Sequence, residues 1–251
     1  MTVVAVLADP PREGHALSAL AETSPLSAAD AADLAEAALR DTVLAVARSG
    51  SDLLVNYPTD DQLPDAAVTD TPAEAELRAI VGDTLDSLDD VRFEKQVGST
   101  FDARVGNTVT HLLREENERS VAVVRPNAPF LSRTLLDGAS MQLRSNEAVL
   151  GPSTAGRTYY AGFTEPIDFD GAFATPALET LTARTRDVDG DVEFLETQPT
   201  IATGADLLDV VPEIRARVAA ERTVPVHTAE VIHDLGLDVV EEDGEPTLVR
   251  E

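Results

Sequence analysis

The sequence predicts an α/β protein with a mainly parallel central sheet, helices on both faces, and a short hairpin appended at the C-terminal end. Three observations predict it. Short, apolar, β-branched runs of strand length alternate with long amphipathic stretches, the pattern of parallel strands joined through crossover helices. Capping residues open several of the amphipathic stretches, and turn formers stop the apolar ones. A chain of 251 residues is also long enough to bury a sizeable core, since chains of this size bury roughly 70–75% of the surface they expose when unfolded.

Taken in order, VVAVLA (3–8) reads as a first buried strand, and a loop follows over 9–26. A long helix then begins at Ser27, with Asp30 three residues on to close a capping box, and ends at Gly50. DLLVNY (52–57) is a second strand. The next helix, 71–88, is expected to take Thr71 as its cap, Pro72 at its first helical position and Glu74 as the closing carboxylate of a second capping box. VRFEKQV (91–97) is a weaker strand, and 99–117 reads as a helix. The strand SVAVV (120–124), the helix 132–145, the strands 147–151 and 158–163, a helix near 175–187, a strand over 191–196 and a helix near 204–221 complete the alternation. VVEEDGEPTLV then reads as a hairpin turning at Asp243-Gly244, with Pro246 marking an edge strand. No repeat or linker divides the chain, so residues 1–221 are read as one domain and 222–251 as a helix-and-hairpin extension.

Charge is the outlier. Forty-six acidic residues against nineteen basic ones give a net charge of -27, and Lys95 is the sole lysine. The acids recur along the whole length instead of forming a tail. A uniformly acidic, lysine-poor surface fits work in multimolar salt, where a Debye length of about 3 Å at 1 M screens the self-repulsion. A docking surface for a basic partner would be patchy, and nucleic-acid binding would need a basic groove. Cysteine is absent, which removes disulfides, thiol catalysis and Cys-zinc sites. The start MTVVAVLADPP lacks a signal peptide's basic and apolar segments, and no apolar run approaches about 18 residues. The expectation is a soluble, cytoplasmic protein with neither membrane nor nucleic acid as partner.

Candidate chemistry gathers where the strand 120–124 ends. In an open α/β sheet ligands bind beyond the carboxyl ends of the strands, and there the chain offers Arg125, Asn127 and Phe130 without a carboxylate. GPSTAGRT (151–158) has the glycine spacing of a phosphate loop, with Arg157 in place of the lysine. Its continuation YYAGF reads as a strand rather than a helix, so the phosphate-loop mechanism fails and a turn between strands is expected. His227, Glu230 and His233 recur at intervals of three, which drifts around a helix and reads as a solvated face. His15, in the first loop, is the histidine placed to meet a ligand.

Order and motifs together resemble the nucleotide-diphospho-sugar transferase superfamily, whose GT-A fold is Rossmann-like. Within it the chain resembles an uncharacterised glycosyltransferase-like, radical-SAM-associated branch, over residues 3–211. The branch has G-T-D-C-P-D-L after a strand; here VVRPNAPFL puts Asn127 at the first aspartate and Phe130 at the second, keeping Pro129 and Leu131. Its G-P-A-E-D-G-G-Y-Y is similar to GPSTAGRTYY, where Ala155 replaces the aspartate and Gly156 remains. Its D-V-D-T-x-x-D-L is similar to TIATGADL, with Thr200 and Ala202 at two aspartates while Thr203, Asp206 and Leu207 are kept. Arg12 is the one base in a first loop where the branch carries several.

The resemblance implies a nucleotide or nucleotide-sugar ligand and a divalent cation held by carboxylates that this chain has replaced. Acidic adaptation adds aspartates, so these losses run against the trend of the composition. The ligand-binding candidates are Asp9, Arg12, Arg125, Asn127, Gly156 and Arg157; no catalytic residue and no metal ligand is expected, and no motif names a cofactor. The reading is a degenerate transferase-like protein of an extreme halophile, with a non-catalytic or metal-independent binding or regulatory role. The alternative is an active glycosyl- or nucleotidyltransferase that holds its donor through Asn127, Arg157 and backbone groups, with Asp9 or Asp206 supplying a ligand. Oligomeric state is left open by these residues.

Overall fold

The computed structural model describes residues 1–250. Its centre is a seven-stranded sheet built from β1 (Thr2–Leu7), β2 (Asp52–Tyr57), β3 (Val91–Lys95), β4 (Ser120–Val124), β5 (Ala148–Pro152), β6 (Thr158–Phe163) and β7 (Val192–Phe194). The order is β3-β2-β1-β4-β6-β5-β7. β6 alone runs against its neighbours, antiparallel to both β4 and β5. The predicted α/β class, the mainly parallel sheet and the appended hairpin are therefore what the chain forms.

The strand period of two explains why the sheet is covered twice. Along β1, Val4 and Val6 enter one core while Val3, Ala5 and Leu7 enter the other. The first core is closed by α2 (Ala28–Ala47), α3 (Ala73–Thr84) and α5 (Arg133–Gln142), through Leu39, Val43, Leu77 and Leu136. The second is closed by α4 (Phe101–Arg114) and α6 (Ala177–Asp187), through Val105, Val109, Leu112 and Leu181. Each fully buried Val or Leu contributes about 1.5–3 kcal/mol relative to exposure. Core building thus falls to aliphatic side chains in a chain with no tryptophan.

A third apolar cluster lies apart. It joins a short helix α1 (Ser18–Thr23), the outer face of α2, α7 (Gly204–Ala219), α8 (Val226–Asp234) and the hairpin β8 (Leu237–Glu242) and β9 (Glu245–Arg250). Leu20, Leu34, Leu207, Val210, Ile214 and Ile232 fill it. The Asp41 carboxylate of α2 accepts from the N–H groups of His227 and Thr228 at 3.1 and 2.8 Å, tethering the first turn of α8. Arg250 on β9 donates to Asp30 at 2.8 Å, so the hairpin also reaches the amino end of α2.

Three local expectations change. The Ser27–Asp30 capping box forms as read, but the one at Thr71 does not. α3 starts at Ala73 with Pro72 in the cap position, and the Ala73 N–H donates to Asp60 of the preceding loop at 3.1 Å. Glu74 turns away to accept from the Tyr57 hydroxyl at 2.5 Å and from Arg78 at 2.8 Å. The loop expected over 9–26 contains α1, whose six residues are held by tertiary burial of Leu20 and not by a side-chain cap. β7 is shorter than the expected 191–196, since Val192–Phe194 alone pairs with β5.

Candidate functional site

The carboxyl ends of β1 and β4 open into a cleft of about 240 Å³. Leu7 and Asp9 enter it from β1, Arg125 and Asn127 from β4, His15 from the first loop, and Ala202 from the approach to α7. This is the position where an open α/β sheet exposes backbone ends and can take a ligand. The chain after β4 is pinned in place: the Asn127 N–H donates to the Arg125 carbonyl at 2.8 Å, and the Ile201 N–H donates to the Asn127 carbonyl at 2.7 Å. That second bond draws the 200–202 segment against the end of β4.

Of the six candidates, the cleft brings together Asp9, Arg125 and Asn127. Arg125 lies in a concave mouth, open to solvent on one side and walled by protein on the others, with its guanidinium 5.0 Å from the centre of the Phe101 ring. Desolvation lowers its pKa, the Asp9 charge opposes the shift, and the like charges of Arg157 and Arg104 add to it. It still carries its proton at neutral pH. His15 shares the cleft, and its Nε2 is buried without a hydrogen-bond partner among the described residues.

Arg12 points elsewhere. It is buried, and it donates to Glu76 at 2.8 Å, the Ala67 carbonyl at 2.6 Å and the Thr71 carbonyl at 2.7 Å. A guanidinium so fully spent ties the segment before α3 to the first loop and has no fork left for a ligand. The sequence reading placed Arg12 at a ligand because it was the sole base of its loop; the partners lie more than fifty residues away and carry no local signal.

Arg157 and Gly156 belong to the turn between β5 and β6. Arg157 makes a two-pronged ion pair with Asp206 and also donates through Nε to the Thr154 carbonyl at 3.1 Å. Asp206 is itself the closing carboxylate of the capping box at Thr203, accepting from the Thr203 N–H at 2.8 Å. Burial alone would raise the Asp206 carboxyl. The Arg157 hydrogen bond, the Thr203 N–H and the guanidinium charge outweigh that and hold it below the ordinary carboxylate value.

Both glycines of GPSTAGRT have packing reasons. A Cβ on Gly151 would lie 2.5 Å from Cζ of Tyr159, and Gly156 combines a φ of +71° with a Cβ position 2.9 Å from Pro176. The segment is a turn between antiparallel strands, as its aromatic continuation predicted.

Comparison with known proteins adds the class. Residues 59–175 match DUF2064, an uncharacterized protein conserved in bacteria. The match is a resemblance over somewhat less than half of the chain. No curated protein matches the sequence. A solved structure from Desulfovibrio desulfuricans G20, described as a nucleotide-diphospho-sugar transferase, superposes with a TM-score of 0.73 at 17% identity, covering 93% of this chain and 94% of that one. A cytidylyltransferase from Leptospira borgpetersenii serovar Hardjo-bovis superposes with a TM-score of 0.50 at 11% identity, over 93% and 94% of the two chains. The chain has a GT-A-like fold, of the kind seen in nucleotide-diphospho-sugar transferases and cytidylyltransferases. Among the described residues, no helix is long and apolar enough to cross a membrane.

That fold family implies a divalent cation, and the residues here do not fit one. Magnesium and manganese sites on such folds need carboxylate oxygens. Among the described residues, Asp9 is the one carboxylate lining the cleft. Thr200 is buried with its hydroxyl 3.2 Å from Ser153, Ala202 has no ligand atom, and Asp206 is taken by Arg157 and the α7 cap. Among the described residues, no group of three His, Cys, Asp or Glu side chains is placed to hold a metal ion.

Proposed function

We propose that this chain binds a nucleotide or nucleotide-sugar without a divalent cation, in a non-catalytic or regulatory role, as a degenerate transferase-like protein of an extreme halophile. The observation that carries it is the make-up of the cleft, where Arg125 and Asn127 meet the single carboxylate Asp9. A guanidinium and a carboxamide recognise phosphate oxygens by charge and hydrogen bonding. They offer a metal ion one anionic ligand at most. The net charge of -27 with one lysine supports the concentrated-salt setting.

Thermal melts in multimolar KCl, run with nucleoside triphosphates and nucleotide-sugars in the presence of EDTA or Mn²⁺, test the reading. An upward shift with a nucleotide, equal in EDTA and Mn²⁺, is the expected result. The second reading, an active glycosyl- or nucleotidyltransferase, is favoured by the fold likeness to a cytidylyltransferase. It predicts a shift that requires Mn²⁺, and that outcome would replace the first reading.

A further inference from the structure

Eighteen arginines share the chain with forty-six acids, and four of those placed on helices are answered by a carboxylate one turn away, as Arg40 is by Glu36 and Arg217 by Glu213. One group departs from that habit. Arg125, just past the carboxyl end of β4, lies against Phe101 in the first turn of α4. Arg104 is three residues further along α4, on the same face as Phe101, and its Nε is buried with no hydrogen-bond partner among the described residues. Arg157 precedes β6 by one residue.

Topology explains the meeting. β6 is antiparallel to β4, with Val124 opposite Tyr160, so the residue that leaves β4 and the residue that enters β6 emerge at the same edge. Arg125 and Thr158 accordingly border one small hollow. Arg157 and Arg104 both lie within electrostatic range of Arg125, as does Asp9. With Arg157 paired to Asp206, Arg104 and Arg125 are the guanidiniums left here, and Asp9 is the carboxylate that acts on Arg125. Like charges so placed repel, and an anion between them relieves the repulsion.

We propose that Arg104 and Arg125 form one anion site that grips the diphosphate of a nucleotide or nucleotide-sugar, the guanidiniums standing in for a divalent cation. This rests on the nucleotide-binding reading above and names the group that is held. Planar guanidinium forks match pairs of phosphate oxygens. Two forks entering from different elements suit two linked phosphates better than one. Arg157 flanks the site with its guanidinium already held, its Nε on the Thr154 carbonyl and its terminal nitrogens on Asp206.

The test is calorimetric titration in EDTA, at the lowest KCl concentration that keeps far-UV dichroism intact, with inorganic pyrophosphate, inorganic phosphate, CDP and UDP as separate probes. Expected are binding of pyrophosphate and of at least one nucleoside diphosphate, with phosphate weaker by about tenfold, and losses of about tenfold for R104Q and for R125Q. R133Q, an exposed arginine on α5, keeps wild-type affinity. If a glutamine variant fails to fold, R104K or R125K keeps the charge but lacks the fork, and a clear loss is still expected. CDP or UDP binding that R104Q and R125Q leave unchanged overturns the arginine site and spares the nucleotide reading. Binding that appears only when Mn²⁺ replaces EDTA overturns the site as a cation substitute. Silence with every probe, pyrophosphate included, removes both. Pyrophosphate binding without nucleotide binding upholds the anion site and assigns it to the free anion.

Discussion

Arg157 and Asp206 are forty-nine residues apart in sequence, yet the guanidinium of one closes on the carboxylate of the other with both terminal nitrogens. Only 5% of the Asp206 side chain remains exposed. The same carboxylate completes the cap of α7. One side chain therefore fastens a helix start and the β5–β6 turn together.

Acid should undo that fastening. Asp206 has a lowered pKa in the folded protein, so its contribution is complete above the unfolded-state value of about 3.9 and is lost as pH falls through the folded value. We expect D206N to cost about 2–3 kcal/mol near neutral pH, from the broken ion pair and the weakened cap. Urea denaturation at neutral pH and again near pH 3 checks it: the gap between wild type and D206N should narrow in acid. A gap that stays constant across that range would remove the ion pair as a source of stability.

Metal affinity can be written in. Asn127 and Ala202 line one cleft with Asp9, so N127D combined with A202D brings three carboxylates to it. The double variant is expected to bind Mn²⁺ measurably tighter than wild type, by about tenfold or more per added ligand charge, followed by Mn²⁺ paramagnetic resonance. Unaltered affinity would show that the segment 200–202 holds its side chains away from the end of β4.

Gly151 should tolerate no side chain. The Tyr159 ring occupies the space a Cβ would take, and its hydroxyl is fixed on the Glu196 carbonyl at 2.9 Å. G151A is expected to destabilise by about 1–3 kcal/mol through overpacking. In a Y159L background the same substitution should cost less, because the two sites share one volume. Equal melting-temperature losses in both backgrounds would assign the effect to backbone instead.

Salt is the fourth lever. With a net charge of -27, dilution to about 10 mM salt lengthens the Debye distance to roughly 30 Å and exposes the carboxylates to one another. Far-UV dichroism and hydrodynamic radius should report expansion during dialysis from multimolar KCl. A protein that stays compact with unchanged far-UV dichroism at low salt would refute adaptation to brine.

The strands were legible because β1, β2 and β4 are short apolar runs that need no partner to be recognised, and their alternation with helices set the class. The Ser27–Asp30 box was legible because both of its halves lie within four residues. The Thr71 box was misread for the converse reason: Asp60 and Tyr57, from outside the helix, outcompete the local partners. At the site, Arg125 and Asn127 could be placed from the end of a strand alone. Arg104 could not, since nothing in a helix sequence says which face meets a neighbouring mouth. Arg12 looked available only because its acceptors, Ala67 and Thr71 carbonyls among them, are backbone atoms that no side-chain pattern reveals.

The arginine-lined mouth set in an acidic shell has a kinetic consequence. An incoming polyphosphate meets repulsion at long range and attraction only in the last few ångströms, the reverse of ordinary electrostatic steering. Dilute electrolyte should therefore slow its arrival, and brine should hasten the encounter while weakening the grip. Capture rate and affinity would then respond to added salt in opposite directions.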